Sequence, residues 1–325
     1  MSVTQPASRV LIAVATLNRP VLLGHTLNSL ATQICPEGVE IEILVVENQE
    51  PATVGSIIEA LSCPYPLHLI TEGRRGLSYA RNAALDYAIS RNFDWMAFVD
   101  DDEEAPPEWI GNLYRGATAR DLDLCGGHTI PHNPHERLSP LQKYILRGMA
   151  SYQAEQRLRF ARKVRSGRDK TDSISTANWM CKVSSVSNAG VRFDLRLNAS
   201  GGEDMQFSTD SLNAGLRLGR ILDAGIYDTV HASRLSCSYI FKRERDQEIT
   251  DFRRHYEFCG TAPHKRKIWP SSCAKYIHGA VSVTLSPLIG PKHLIKGLRK
   301  LGRARGRILA ARSHRSTHYE ATHGH

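Results

Sequence analysis

Paired cysteines, long apolar runs and aromatic side chains are all scarce in this chain. Its seven cysteines (Cys35, Cys63, Cys125, Cys181, Cys237, Cys259 and Cys273) are scattered and odd in number, and none forms a C-x-x-C pair. That distribution argues against a disulfide framework or a zinc site and fits a reducing, cytoplasmic setting. Aromatics make up only 7% of the residues. With no aromatic-basic RNA motif and no zinc-finger spacing, nucleic acid is not expected as a partner. No apolar stretch reaches the ~18 residues needed to cross a bilayer. The segment from Met1 to Arg9 is polar and lacks a signal-peptide core, and no internal repeat is evident.

What is present is enough to build a sizeable core. The chain has 325 residues, 41% of them hydrophobic, which allows one large or two smaller domains. The formal net charge of +9 points to an anionic partner such as a membrane surface or a phosphorylated substrate. Much of that charge sits near the C-terminus.

The most informative stretch is Phe98-Val99-Asp100-Asp101-Asp102-Glu103-Glu104. Trp95 to Val99 reads as a strand buried on both faces, and it ends in five carboxylates. Unpaired charges of that density do not enter a core, so the run faces a crevice. There a divalent cation relieves the mutual repulsion. Upstream, apolar runs at Val10 to Val14, Ile41 to Val46 and Leu67 to Ile70 read as further strands. Between them, Pro20 to Leu30, Pro51 to Leu61 and Ser78 to Ser90 read as helices. This alternation predicts a mainly parallel sheet covered by helices. Ligands bind beyond the carboxyl ends of such strands, and polar residues follow each run there: Thr16 and Asn18, Glu47 and Asn48, then Asp100 to Asp102.

Downstream, Pro106 to Ala119 reads as a helix, and Asp123 to Thr129 as a segment turning at Gly126-Gly127. His128, His132 and His135 read as part of a polar loop rather than a metal site. One or two helices follow over Leu138 to Arg165. The charged loop Ser166 to Lys170 either closes over an anionic substrate or simply connects. Ser173 to Ser184 reads as a strand and turn, and Ile221 to Val230 as another strand. Gly201-Gly202-Glu203-Asp204 opens a helix, where the two acids suit either the helix macrodipole or catalysis. From Lys242 the pattern degrades. Lys292 to Ala311 reads as a basic amphipathic helix, suited to an anionic membrane surface or to packing on the catalytic domain, with the membrane favoured. Gly297, Gly302 and Gly306 weaken that helix. His314 to His325 reads as a tail.

In order and spacing, these motifs resemble family-two inverting glycosyltransferases of the GT-A fold, particularly bacterial enzymes of exopolysaccharide and cell-surface glycan assembly. The resemblance runs from about Arg9 to Arg245. It implies an α/β GT-A catalytic domain over residues 1–245, with a mainly parallel central sheet flanked by helices, and a basic C-terminal helical extension and tail over 246–325.

The resemblance also implies a site. Thr16, Asn18 and Arg19 match the first nucleotide loop. Glu47 stands where the family usually has an aspartate that holds the base. Arg81 belongs to the helix start near diphosphate and ribose. Asp100, Asp101 and Asp102 match the D-x-D motif, with Asp100 and Asp101 on the donor side and Asp102 as metal ligand. His231, in a stretch where this chain departs from the family, is either a further metal ligand or a mere neighbour, and Asp204 is the general base. Trp179, Gly202 and Glu203 form the acceptor side. The implied cofactor is manganese or magnesium, as hard oxygen ligands favour. The implied donor is a nucleotide-diphosphate sugar, with uridine diphosphate as the family default. The acceptor is a glycan or a polyprenyl-linked hydroxyl, met at the inner face of the plasma membrane by a peripheral protein. Two rival readings are a sugar nucleotidylyltransferase, which normally opens with a glycine-rich basic loop where this chain has Thr16 to Arg19, and a non-catalytic glycan-binding module.

Overall fold

A computed structural model describes residues 7–166, 173–198, 201–259 and 265–312. The loop expected at Ser166 to Lys170, apart from Ser166, and the tail from His314 lie outside the described residues. The first hundred residues alternate as read: β1 (Ser8–Thr16), α1 (Pro20–Ala31), β2 (Val39–Glu47), α2 (Gly55–Ala60), β3 (Leu67–Thr71), α3 (Leu77–Ser90) and β4 (Trp95–Asp100). Then come β5 (Glu103–Glu104), α4 (Trp109–Ala119), β6 (Leu124–His132), α5 (Pro140–Arg165), β7 (Asn178–Lys182), α6 (Val183–Asn188), α7 (Glu203–Asn213) and β8 (Leu218–Thr229). Three helices close the chain: α8 (Cys237–Cys259), α9 (Lys265–Ile289) and α10 (Pro291–Ala310).

The strands form one eight-stranded sheet in the order β3-β2-β1-β4-β7-β6-β8-β5. The first four are parallel, as their continuous apolar sequences require. Beyond β4 the sheet is mixed, because β7 runs antiparallel to both β4 and β6. Successive side chains of β1 serve opposite cores. Val10, Ile12 and Val14 meet Leu23, Leu27 and Leu30 of α1, while Leu11, Ala13 and Ala15 lie in the cluster with Ala80, Ala84 and Ala88 of α3. The small side chains of α3 form the part of this second core that lies over β1 and β4. Register then aligns the functional ends. Thr16 pairs with Glu47, and Ala15 with Asp100, at one edge of the sheet.

Several expectations are corrected. The helix read over Pro51 to Leu61 is only α2, because Glu47 captures the Thr53 and Val54 amides and so holds 49–54 as a loop. Gly126 and Gly127 do not turn. They lie within β6, where a Cβ on Gly127 would fall 1.6 Å from the Ala224 carbonyl oxygen. His128 and His132 are accordingly strand residues, not loop residues. The pattern that seemed to fade after Lys242 contains three long helices, and residue 245 falls inside the continuous helix α8. The C-terminal unit is therefore better counted from Cys237.

Helix α10 forms, but its apolar face does not point outward. Leu294, Ile295 and Leu298 are buried with Ile145 of α5 and Ile240 of α8. Lys292 and Lys296 pair with Glu155, Arg299 and Arg303 with Glu244, and Arg307 with Glu248. The glycines are contact points rather than weak links. Cβ atoms on Gly302 and Gly306 would meet α8 backbone oxygens at 2.5 and 2.3 Å, and one on Gly297 would meet the Gly279 oxygen of α9 at 2.7 Å. Packing at backbone distance has overridden glycine's weak helix propensity. Of the two destinations open to α10, its own domain is the one taken.

Candidate active site

Charged side chains gather where β1 and β4 end and where α7 begins. Thr16 Oγ1 donates to Asp101 Oδ2 at 2.7 Å, and Arg19 Nη1 donates to Asp101 Oδ1 at 2.9 Å. The same Nη1 lies 3.5 Å from Asp102 Oδ2, and Arg234 Nη1 approaches that oxygen at 3.3 Å. Arg81 is 2% exposed. It donates through Nη1 to Glu203 and lies 3.4 Å from Asp100 Oδ1 through Nη2. Three arginines thus balance the aspartate run and Glu203, which is how so many carboxylates are tolerated in so little space.

Asp100, Asp101, Asp102, Arg19, Arg81 and Glu203 are therefore brought together, as the sequence implied. Asn18 sits in the left-handed region, at φ 53°, with its side chain exposed where α1 begins. Asp102 lies against β8, where its carbonyl accepts the Thr229 amide at 2.9 Å. That contact brings in a carboxylate the sequence reading did not assign. Asp228 lies half-buried near Asp102, and partial removal from water, reinforced by the Asp102 charge, pushes it up to about 6. Arg234 reaches Asp102 directly.

Gly202 caps α7 at φ 88°, a backbone shape that glycine adopts without strain. Asp204 follows in the first helical turn, and its Oδ1 accepts the Met205 amide at 2.7 Å. Burial pushes its carboxyl up to about 6, with the neighbouring Glu203 charge adding and Arg81 opposing. Such a group is poised to take a proton near neutral pH.

Two residues do other work than expected. Glu47 is fully buried, and its two oxygens accept from the Thr53 amide and hydroxyl, the Val54 amide and Gln49 Nε2. Its acceptor capacity is used in shaping the 49–54 loop, which leaves no free oxygen for a base. Trp179, expected on the acceptor side, is 1% exposed and packs between Phe98, Phe193 and Phe207. As a core residue on β7 it supports β4 from behind. Asn48, next to Glu47, has a clearer role. It accepts the Gly76 amide at 2.6 Å and donates to the Glu72 and Arg74 carbonyls, so it pins the loop entering α3.

Among the described residues no three His, Cys, Asp or Glu side chains converge closely enough to hold a cation as they stand. The donors for one are nonetheless at hand. His231 Nδ1 lies 3.2 Å from Glu136, while its Nε2 is buried with no hydrogen-bond partner. A buried imidazole nitrogen without a partner is one donor of the kind manganese accepts, and Asp102 and Asp228, neighbouring carboxylates, supply oxygens of another such kind.

A family model described as "Glycosyl transferase family 2" matches residues 11–190. The chain belongs to glycosyl transferase family 2. The matched region of this family-2 chain includes every strand-end residue of the site up to Asp102 and stops before Glu203 and Asp204. A curated relative, succinoglycan biosynthesis protein ExoM of Rhizobium meliloti, is 27% identical over 234 residues, spanning 71% of this chain and 70% of the relative. Among solved structures, S. aureus TarS 1-349 in complex with UDP-GlcNAc has a TM-score of 0.51 at 16% identity, covering 94% of this chain and 92% of that one. Mannosyltransferase PcManGT from Pyrobaculum calidifontis, in complex with GDP-Man and Mn2+, has a TM-score of 0.54 at 18% identity, covering 96% and 77%. At those identities the likeness is one of fold, and the fold is GT-A.

Proposed function

We propose that this protein transfers a single sugar, with inversion, from a nucleotide-diphosphate sugar to a hydroxyl of a glycan or polyprenyl-linked acceptor during exopolysaccharide assembly. The observation that carries this reading is the position of Asp204. It is a half-buried carboxyl raised to about 6, on the first turn of a glycine-capped helix, linked through Glu203 and Arg81 to the aspartate run. The solved structures of like fold, bound to UDP-GlcNAc and to GDP-Man, support a nucleotide-sugar donor. The relative in succinoglycan biosynthesis supports a polysaccharide product. The family match weighs against a nucleotidylyltransferase, and a carboxyl tuned like Asp204 weighs against a non-catalytic binding module.

Asp204 takes the proton of the acceptor hydroxyl as its oxygen attacks the anomeric carbon. The bond from that carbon to the diphosphate oxygen breaks on the opposite face. Arg81, held by Glu203 and Asp100, fixes the distance between the base and the donor side. Asp101 orients Thr16 and Arg19. Asp102 and His231 would hold the divalent ion, with Asp228 close by, and that ion would supply Lewis-acid stabilisation of the diphosphate charge. Arg19 and Arg234, which pair with Asp102, would meet the same developing charge. Donor binding through Glu47 and acceptor contact through Trp179 are not part of the proposal, because both side chains are committed elsewhere.

The test is a screen of sugar nucleotides with manganese, reading nucleoside diphosphate release and the anomeric configuration of the product. Release with one donor and an inverted product supports the reading. Retention of configuration, or no release with any donor and acceptor set, contradicts it.

A further inference from the structure

Helix α9 is built inside out. Its buried side is made of small residues. Ser272, Ser282 and Ser286 are buried, and a Cβ on Gly279 would fall 2.8 Å from Leu301 Cγ and 3.0 Å from the Gly297 oxygen of α10. Its outer side is large and apolar: Trp269, Ile277, Val281, Leu285, Leu288 and Ile289 are all exposed, Leu288 by 85% and Ile277 by 68%. Most of them recur at intervals of four, so they share one face. In water this arrangement is unfavourable, since it buries hydroxyls and exposes the groups that gain most from burial. A helix packing through small residues while turning large apolar ones outward is the pattern of a helix in contact with lipid.

Charge points the same way. From Trp269 to Ile289 the only ionic side chain is Lys275. Between Glu257 and Glu320 the sequence has no Asp or Glu at all, while Lys and Arg recur on both sides of the apolar stripe. Several of these cations are matched by Glu155, Glu244 and Glu248. Before the stripe in sequence stand Lys265, Arg266 and Lys267, while Lys292 after it is paired with Glu155. No described helix is long and apolar enough to cross a membrane, so α9 would lie along a surface rather than through it.

We infer that the exposed face of α9 docks on a bilayer containing anionic phospholipid, with Trp269 and the Ile277–Leu288 stripe seated at the acyl boundary and the flanking cations on the headgroups. This moves membrane contact from α10, whose apolar face is covered, to α9. It rests on the C-terminal helices alone and stands or falls independently of the proposed transfer reaction.

Trp269 supplies a direct readout. It is 57% exposed, while Trp95, Trp109 and Trp179, the other three tryptophans, are buried. The full chain is mixed with vesicles of phosphatidylglycerol and phosphatidylcholine, some carrying brominated acyl chains. The expected result is co-sedimentation, a blue shift in emission, and quenching of Trp269 by the brominated lipid. Binding should be weaker to vesicles of phosphatidylcholine alone, and should weaken as salt rises. The variant Ile277→Asp/Leu288→Asp alters only exposed positions, so it should melt like the parent and partition at least tenfold less. Three outcomes would overturn the inference: no binding of the parent to anionic vesicles, equal binding by the double variant, or binding without quenching of Trp269. A parent that is dimeric by light scattering, becomes monomeric in the double variant and ignores vesicles would assign the face to a second copy of the chain instead.

Discussion

Arg81 and Glu203 are joined across 122 residues of sequence by a buried ion pair. Arg81 lies on the second turn of α3, and Glu203 is the first residue of α7, beside Asp204. The pair therefore ties α3 to α7. Removing one partner leaves the other charge buried and unmatched, which costs about 3–5 kcal/mol. Arg81→Leu should lose about that much stability in urea unfolding. Arg81→Leu/Glu203→Leu should recover part of it, because neither charge is then stranded. A double-variant loss equal to the sum of the Arg81→Leu and Glu203→Leu losses would mean that the pair is not coupled.

Glu47 should behave as a loop-shaping residue. Glu47→Gln places an amide N–H2 against donors that now meet a carboxylate. It should cost about 1–3 kcal/mol, the usual penalty for a broken buried hydrogen-bond set. If the loop it shapes borders the donor, its Michaelis constant should rise while kcat changes little. Unaltered melting would show that the Thr53 and Val54 contacts contribute nothing.

Asp204 should carry a stability cost of its own. Its carboxyl titrates at about 6 in the folded protein against 3.8 for an ordinary aspartate, so the folded state holds the proton more tightly. This group's contribution is full below pH ~4 and is lost as pH rises through about 6. Asp204→Asn cannot ionise, so it should be more stable than the parent at pH 8, by on the order of 1–3 kcal/mol. The difference should vanish near pH 4. Thermal melts at the two pH values provide the check, and a variant less stable at pH 8 would contradict the burial of this charge.

Asp102 is held by Arg19 and Arg234. If it also holds the divalent ion, Asp102→Ala should weaken manganese and donor binding together. Calorimetry with the folded variant reads both. Unchanged donor affinity in the presence of manganese would remove Asp102 from the ligand set.

How much of this was legible beforehand depended on how local the signal was. The parallel half of the sheet could be read because β1, β2 and β4 are continuous apolar runs that end in polar residues, and register then brings Thr16, Glu47 and Asp100 to one edge. The roles of Glu47 and Trp179 could not be read. A strand-end glutamate has the same sequence signature whether its oxygens face a ligand or its own following loop. A tryptophan on a strand gives no sign of which face it takes. Asp228 and Arg234 were hidden because their link to Asp102 depends on β8 meeting the acidic turn, a contact between residues far apart in sequence. The C-terminal helices misled for a different reason. Periodicity identified the apolar face of α10, but only tertiary packing shows that this face is covered and that α9, whose apolar residues alternate with serines and a glycine, is the helix left exposed.

The central claim is that Asp204 takes the acceptor's proton, and the most direct test is the transfer rate of Asp204→Asn at saturating donor and acceptor. Asparagine keeps the size and the bond to the Met205 amide but cannot accept a proton. Transfer should fall by roughly 10²–10⁴, the usual worth of general-base catalysis, with donor affinity unchanged. In the parent, kcat should rise with pH and level off above about 6, following the Asp204 carboxyl, whereas the residual rate of the variant should not follow that titration. Transfer near the parental rate by a folded, donor-binding Asp204→Asn would contradict the claim, and Glu203→Gln would then be measured next.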